Sequence, residues 1–241
     1  MSAITITNLT KTYGGFTAVD NLNLTIEQGE LFALLGLNGA GKTTTIKMLS
    51  CLTKPTEGNA VLLGDSVKER PQSVKEKISI SPQETAVASN LSVIENLELM
   101  AGVSGQDRND AKKNAEEMVI RFGLNSVRKK RAKQLSGGMQ RRLSIAMALI
   151  SDPEILFLDE PTLGLDVLAR RELWTSIRAL KGKVTIVLTT HYLEEVEALS
   201  DRIGIMVSGK LAAVGTVVEL TEQTGTNNLE DAFVILSGGV V

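Results

Sequence analysis

A glycine-rich segment of the chain has the spacing of a phosphate-binding loop: Gly36, Leu37, Asn38, Gly39, Ala40, Gly41, Lys42 and Thr43. Its glycines permit positive φ angles, so that backbone N–H groups can surround phosphate oxygens. Lys42 can supply a positive charge to the β- and γ-phosphates, the Thr43 hydroxyl can bind Mg²⁺, and Thr44 can donate to the α-phosphate. The alternative is a glycine-rich turn with a solvated lysine. The apolar run before the loop and the helical pattern after it favour nucleotide binding.

Two adjacent carboxylates, Asp159 and Glu160, follow the apolar run at residues 155–158. In open α/β sheets, ligands bind at the carboxyl ends of the strands. Asp159 suits Mg²⁺, which prefers oxygen ligands, and Glu160 can orient an attacking water or accept its proton. A solvated strand end would explain the pair in isolation. Beside a phosphate loop, the pair predicts a hydrolytic site.

The single histidine, His191, follows the apolar run at residues 184–190 and is therefore also expected at the carboxyl end of a strand. A lone histidine is often structural, and the residue pattern by itself leaves both interpretations open. Its predicted place on the same sheet edge as Gly36 and Asp159 favours contact with the γ-phosphate or with the attacking water.

The elements that must position these residues alternate along the chain. Short apolar runs that are typical of buried strands occur at 31–35, 78–80, 155–158, 184–188 and 203–207. Helical patterns separate most of these runs, and one of them extends from about residue 42 to 52. Residues 4–9 and 23–26 alternate between apolar and polar, as half-buried antiparallel strands do. The order predicts an α/β fold with a mainly parallel sheet.

Residues 84–150 interrupt this alternation with helical patterns at 92–101, 107–122 and 137–150 and no convincing strand. We predict one domain over residues 1–241, with an α/β core at 1–83 and 154–220. A helical subdomain at 84–153 is inserted into the core, and a tail follows at 221–241. Residues 221–228 are rich in Thr, Gln, Gly and Asn and predict a loop.

Composition excludes several classes of function. The 241 residues carry 26 basic and 28 acidic side chains, and like charges run no further than residues 128–131, so we expect no nucleic-acid partner. A single cysteine, Cys51, is expected to be a buried and inert thiol in a reducing compartment. No secretory signal is visible, and no apolar run approaches the roughly 20 residues of a membrane-spanning helix.

A second anion-binding helix end is predicted at residues 136–138. Ser136 is a good N-cap, and Gly137 and Gly138 allow close approach at the start of the next helix. An ordinary capped helix is the alternative for these residues in isolation. Together with the other motifs, residues 135–140 match the signature motif of the ABC-family ATPases, which the chain resembles over nearly its whole length.

The resemblance implies the fold of a P-loop NTPase with a mainly parallel core sheet, an N-terminal antiparallel β subdomain and an inserted helical subdomain. It also implies a head-to-tail dimer with an identical or paralogous subunit. ATP and Mg²⁺ would lie between the phosphate loop of one subunit and the signature residues of the other, which are Ser136, Gly137, Gly138 and Gln140.

Further roles are implied residue by residue. Gln83 matches the glutamine that senses Mg²⁺ and water, and Tyr13 matches the aromatic residue that stacks on adenine, although a core tyrosine is the rival interpretation. Asp166 matches the loop that crosses the dimer interface. Glu160 matches the general base and His191 the switch histidine, so the resemblance implies active ATP hydrolysis.

Three functions remain open within this family: the ATPase subunit of an exporter, that of an importer, or a non-transport ATPase. The third usually needs tandem domains or a coiled-coil insertion. Residues 90–97 and 228–233 resemble the drug- and polysaccharide-exporter branch and so favour export, although residues 84–88 lack the bulky aromatic that many relatives have. The resemblance implies a separate transmembrane permease and a peripheral location at the cytoplasmic face of the cell membrane.

Overall fold

The computed structural model describes residues 1–239, which contain two sheets flanked by helices. The strands are β1 (Ser2–Tyr13), β2 (Phe16–Glu27), β3 (Leu31–Leu35), β4 (Glu57–Leu62), β5 (Asp65–Ser66), β6 (Ile78–Ser81), β7 (Ile155–Asp159), β8 (Thr185–Thr190), β9 (Arg202–Val207) and β10 (Lys210–Gly215). The helices are α1 (Lys42–Leu49), α2 (Pro71–Lys77), α3 (Val93–Val103), α4 (Arg108–Arg121), α5 (Gly137–Leu149), α6 (Val167–Arg178), α7 (Leu193–Leu199), α8 (Val217–Thr224) and α9 (Leu229–Leu236).

The six-stranded core sheet has the order β10-β9-β3-β8-β7-β6 and is parallel except for the edge strand β10. Every residue of β3, β7 and β8 is buried, because helices or the second sheet cover both faces. This burial explains why these strands have continuous apolar runs rather than alternation. Because these strands are parallel, the carboxyl ends of β3, β7 and β8 lie at one edge of the sheet. The phosphate loop follows β3, Asp159 is the last residue of β7, and His191 follows β8.

The four-stranded antiparallel sheet has the order β2-β1-β4-β5. Its buried side chains alternate along β1 and β2, and Ile4 lies opposite Ile26. These residues form one core cluster with Phe32, Ile46 and Phe157, so the sheet covers α1 and one face of the core sheet. The N-terminal antiparallel strands predicted from the alternation are confirmed, and each is longer than the alternation indicated.

Residues 84–153 contain α3, α4, α5 and two 3₁₀ turns, at Asn125–Val127 and Ala132–Gln134, and no strand. The helical segment that the sequence predicts within the α/β core is therefore present, whereas its subdomain bounds at 84–153 stay a prediction. The buried side chains of these helices join the other face of the core sheet in a second cluster, which includes Leu97, Val119 and Leu143. No helix within residues 1–239 is long and apolar enough to cross a lipid bilayer.

Two sequence-based expectations about helix ends are wrong. Helix α1 stops at Leu49 rather than near residue 52, because Cys51 adopts a left-handed conformation with φ 56° and Leu52 N donates back to Lys47 O at 2.9 Å. Residues 221–224 are not loop but the end of α8, where the hydroxyls of Thr221 and Thr224 donate to carbonyls one turn back.

Cys51 is only half-buried, and burial raises the pKa of its thiol, with Lys75 opposing the shift. The expectation of an inert thiol rests on that raised pKa rather than on complete burial.

Candidate nucleotide-binding site

The phosphate loop connects β3 to α1 and packs closely against neighbouring backbone. A Cβ atom on Gly36 would lie 2.5 Å from Met206 O, and one on Gly41, whose φ is 102°, would lie 2.5 Å from Ala18 O. Only glycine fits these two positions. Gly41 caps α1 without a side-chain hydrogen bond, so the first N–H groups of the helix face the loop without a side-chain acceptor. Such a helix end attracts phosphate.

Lys42 is buried at the centre of the loop, with 5% of its surface exposed. Its Nζ donates to Gly36 O at 2.7 Å and to Leu37 O at 3.2 Å, and it lies 3.2 Å from Glu160 Oε1. The lysine charge is thus held inside the loop and balanced by the carboxylate at the end of β7. An anion seated in the loop would meet this charge directly.

Asp159 closes the acidic strand end and is also buried. Its Oδ1 accepts hydrogen bonds from Thr43 Oγ1 at 3.1 Å and Thr189 Oγ1 at 2.5 Å. The hydroxyl of the phosphate loop and the carboxylate of the strand therefore meet at one point, although they are far apart in the chain. An all-oxygen pair beside the phosphate loop fits Mg²⁺.

Glu160 has a backbone conformation that non-glycine residues rarely adopt, with φ 48°. Its N–H is held by Thr189, through O and Oγ1, both at 3.1 Å. The carboxylate is buried, and its Oε2 lies 2.8 Å from His191 Nδ1. Glu160 is thus held between Lys42 and His191, with its carboxylate beside the phosphate loop.

Most of these residues line one cleft of about 520 Å³; Gly36 and Asp159 are not part of its lining, although Asp159 contacts Thr43, which is. Its lining comprises Tyr13, Phe16, Ala18, Asn38, Gly39, Ala40, Gly41, Lys42, Thr43, Thr44, Gln83, Glu160, Leu163 and His191. The structure therefore brings together most of the residues that were predicted to act within one subunit, including Gln83, which follows β6.

Two aromatic side chains stand at the mouth of the cleft. Tyr13 is 47% exposed and Phe16 is 65% exposed, and they pair across the turn between β1 and β2. Lys11 Nζ lies 4.9 Å from the centroid of the Tyr13 ring. The exposure of Tyr13 contradicts the core-tyrosine interpretation. Sequence reasoning missed Phe16, which could have been found from its place directly across the hairpin turn from Tyr13.

The signature residues do not line this cleft. Ser136 caps α5 by accepting from Met139 N at 3.3 Å, and both Ser136 and Gly137 are exposed. Gly138 is buried where a Cβ would lie 2.8 Å from Ala169 Cβ, so close packing of α5 on α6 requires glycine there. Gln140 turns inward and donates to Ala132 O at 3.1 Å. The N-terminus of α5 is therefore open to a ligand that this subunit's own loop does not hold.

Asp166 caps α6 by accepting from Ala169 N at 2.9 Å. Around it, Leu163, Val167 and Leu168 are exposed by 42%, 56% and 74%. These apolar side chains form an exposed patch beside the cleft, as a protein–protein contact would require.

Comparison with known proteins places this architecture among ATP-binding subunits. Residues 19–163 match the family model described as ABC transporter. A daunorubicin/doxorubicin resistance ATP-binding protein of Streptomyces peucetius is 42% identical over 228 residues, which are 94% of this chain and 69% of that protein.

Solved structures agree. The ATP-binding subunit of an ABC transporter has a TM-score of 0.87 and 28% identity, with 98% of this chain and 99% of that one covered. A dimeric ATP-binding cassette in a post-hydrolysis state, bound to ADP and inorganic phosphate, has a TM-score of 0.80 and 28% identity, with 88% and 98% covered.

Proposed function

This chain belongs to the ABC transporter family, and we propose that it is the ATP-hydrolysing subunit that powers an exporter. The observation that carries the proposal is the convergence of the phosphate loop, Asp159, Glu160 and His191 at one sheet edge. A cleft built only to bind nucleotide would not need a buried carboxylate held between a lysine and a histidine.

For nucleotide binding, the backbone N–H groups of residues 36–44 and the Lys42 ammonium hold the phosphates. The rings of Tyr13 and Phe16 stack on the base at the mouth of the cleft, where both are exposed. Thr43 and Asp159, together with Gln83, hold Mg²⁺, which when bound neutralises the charge that develops on the phosphate oxygens.

For hydrolysis, Glu160 orients the attacking water and accepts its proton. His191, 2.8 Å from that carboxylate, fixes its direction and faces the γ-phosphate. The three side chains that surround the reacting atoms, Lys42, Glu160 and His191, are in contact before ATP binds. When ATP binds, its phosphates replace the Glu160 carboxylate as the partner of Lys42.

The site is completed by a second subunit, either identical or a close paralogue. The open N-terminus of α5, with Ser136 and Gly137 exposed, is the anion-binding end that a nucleotide on another subunit would meet. The exposed apolar patch at Leu163, Val167 and Leu168, with Asp166, forms part of the interface. Head-to-tail pairing places each nucleotide between the loop of one subunit and α5 of the other.

The membrane part of the transporter is a separate permease, and this chain binds it peripherally at the cytoplasmic face of the cell membrane. Export rather than import is favoured by the resemblance of residues 90–97 and 228–233 to exporters and by the drug-resistance role named for the Streptomyces relative. The transported compound is selected by the permease.

Steady-state phosphate release tests the hydrolytic site. Glu160→Gln should lower kcat by about two to three orders of magnitude, since general-base catalysis contributes on that scale. Glu197→Gln, on the exposed side of α7, is the matched control and should keep full activity. Unchanged turnover in the Glu160 variant would refute the assignment.

The direction of transport is tested with inside-out membrane vesicles from cells that produce this chain. ATP should drive accumulation of doxorubicin, the compound named for the relative, and Glu160→Gln should abolish it. Uptake confined to right-side-out vesicles that enclose ATP, on the side where the cytoplasmic face lies, would identify an importer instead.

A further inference from the structure

Arg141 is a buried arginine on α5 that the proposed chemistry does not use. Only 4% of its surface is exposed. Its guanidinium group donates to four backbone carbonyls in two separate segments: Pro82 O at 2.5 Å and Gln83 O at 3.1 Å in one, Asp159 O at 2.6 Å and Pro161 O at 2.8 Å in the other. A planar group with five donors is suited to holding several acceptors at fixed angles.

The position of these carbonyls matters more than their number. Asp159 and Pro161 are the residues directly before and after Glu160, so Arg141 holds the main chain on both sides of the catalytic carboxylate. Gln83 is the glutamine that lines the same cleft. One side chain on α5 therefore fixes the backbone of two residues that face the reacting phosphate.

The buried carboxylate of Glu195, on α7, contributes negative charge near Arg141. Glu195 on α7 is fully buried and accepts from Trp174 Nε1 at 3.2 Å. Burial raises the pKa of Glu195, while the hydroxyls of Thr190 and Thr162 oppose the shift. Burial lowers the pKa of Arg141 to about 10, and the negative charges of Asp159, Glu195 and Glu160 oppose this. Arg141 thus stays charged at neutral pH.

We propose that Arg141 is a positioning residue for ATP hydrolysis, which ties the orientation of Glu160 and Gln83 to the position of α5. Ser136 precedes Arg141 by five residues on the same helix, a separation of about 7.5 Å along its axis. A shift of α5 when its N-terminus meets a nucleotide is therefore transmitted through the guanidinium group to the backbone around Glu160. This inference rests on the proposed hydrolytic function of the site.

Arg141→Lys is the discriminating variant. It keeps the charge and an aliphatic stem but replaces the planar fork by a compact ammonium group that cannot reach all four carbonyls of the two segments at once. We expect kcat for ATP to fall at least tenfold, while KM changes less than twofold, because Arg141 donates to no residue of the phosphate loop and meets the cleft lining only at the main-chain carbonyl of Gln83.

The matched control is Arg202→Lys. Arg202 also donates to several acceptors, at Glu30 and Thr25 O, but it begins β9, at the end of the core sheet opposite the cleft. Thermal unfolding of both lysine variants should show similar shifts in Tm, with full kcat only in the Arg202 variant. Equal kcat in both variants, or loss of kcat that merely follows loss of folded protein, would overturn the inference.

Trp174 provides a second readout, because it is the only tryptophan of the chain and bonds to Glu195. Binding of ATP and Mg²⁺ should shift its fluorescence emission in the unaltered chain and in Arg202→Lys, and much less in Arg141→Lys. The same shift in both lysine variants would contradict the coupling. Failure of the unaltered chain to hydrolyse ATP would be a different result, which removes the proposed function and this inference with it.

Discussion

At the scale of single residues, Glu160 is the point where the charges of the site meet. Its two oxygens lie 3.2 Å from Lys42 Nζ and 2.8 Å from His191 Nδ1. Because Lys42 also bonds to two carbonyls of its own loop, its charge is compensated before any phosphate arrives. The carboxylate and the phosphates compete for the same lysine.

This competition predicts that Glu160→Gln binds ATP more tightly than the unaltered chain. Removing the negative charge frees Lys42 and removes repulsion toward the γ-phosphate, and we expect Kd to fall by about fivefold, or about 1 kcal/mol. Isothermal titration calorimetry checks the value, with Glu197→Gln expected to match the unaltered chain. Weaker binding in Glu160→Gln would mean that the carboxylate supports the bound state instead.

The candidate residues of the phosphate loop and of the strand ends could be proposed from the residue pattern, because loop spacing and strand ends are local features, whereas Tyr13 and Gln83 come only from the family resemblance. The contact of Lys42 with Glu160 and the four carbonyls around Arg141 could not be predicted from the sequence. Backbone carbonyls leave no trace in the residue types, and the segments that supply them meet only after the sheet has formed.

At the scale of elements, the start of α3 is defined by a reciprocal cap. Ser92 Oγ accepts from Glu95 N at 3.3 Å, and Glu95 Oε2 accepts from Ser92 N at 2.7 Å. The hydrogen bonds that the Glu95 carboxylate accepts from Ser92 N and from Ser92 Oγ lower the pKa of Glu95. The ionised Glu95 carboxylate thus stabilises the folded state at pH values above its unfolded-state pKa. This stabilisation is lost as the pH falls through the lower folded-state pKa.

Ser92→Ala should lower the free energy of unfolding by about 1 kcal/mol, the usual cost of losing such a cap. Urea denaturation at neutral pH measures this cost. Glu95→Gln should be less stable than the unaltered chain at neutral pH, and the difference should shrink as Glu95 protonates in acid. A difference that is constant with pH would show that the carboxylate charge contributes nothing.

Elements with a continuous apolar run or a helical stripe were predictable, whereas β4, β5, β10 and α2 were not. Strand β4 is partly exposed and pairs with β1, far away in sequence, and β10 pairs only along the sheet edge. Residues 221–224 were wrongly predicted as a loop because their side chains are polar. They are helical because Thr216 and Glu219 form the same reciprocal cap at the start of α8 that Ser92 and Glu95 form at the start of α3.

At the scale of the whole molecule, the phosphate loop and the open end of α5 belong to separate surfaces of one subunit. The proposed dimer joins them between subunits, and its interface includes the exposed patch at Leu163, Val167 and Leu168. If each site is divided between two subunits, variants with defects in different halves can complement each other, which a site contained in one subunit does not allow.

Two inactive variants should restore activity when mixed. Lys42→Ala removes the phosphate contact, and Ser136→Asp keeps the cap of α5, since Asp is as good an N-cap as Ser, but repels the partner's phosphates. Each variant alone should hydrolyse no ATP, and an equal mixture should recover about a quarter of normal activity, because half the dimers carry one intact site. An inactive mixture would contradict the divided site.

Arg141 also has a consequence for how the two nucleotides of such a dimer affect each other. Helix α5 would touch the partner's nucleotide through Ser136 and hold Glu160 of its own site through Arg141. Filling one site must then change the affinity of the other by the same factor in both directions. ATP hydrolysis should be cooperative, with a Hill coefficient above 1 that falls toward 1 in Arg141→Lys. The Arg141 side chain would thus determine whether the two sites of the dimer hydrolyse ATP in a coupled manner or independently.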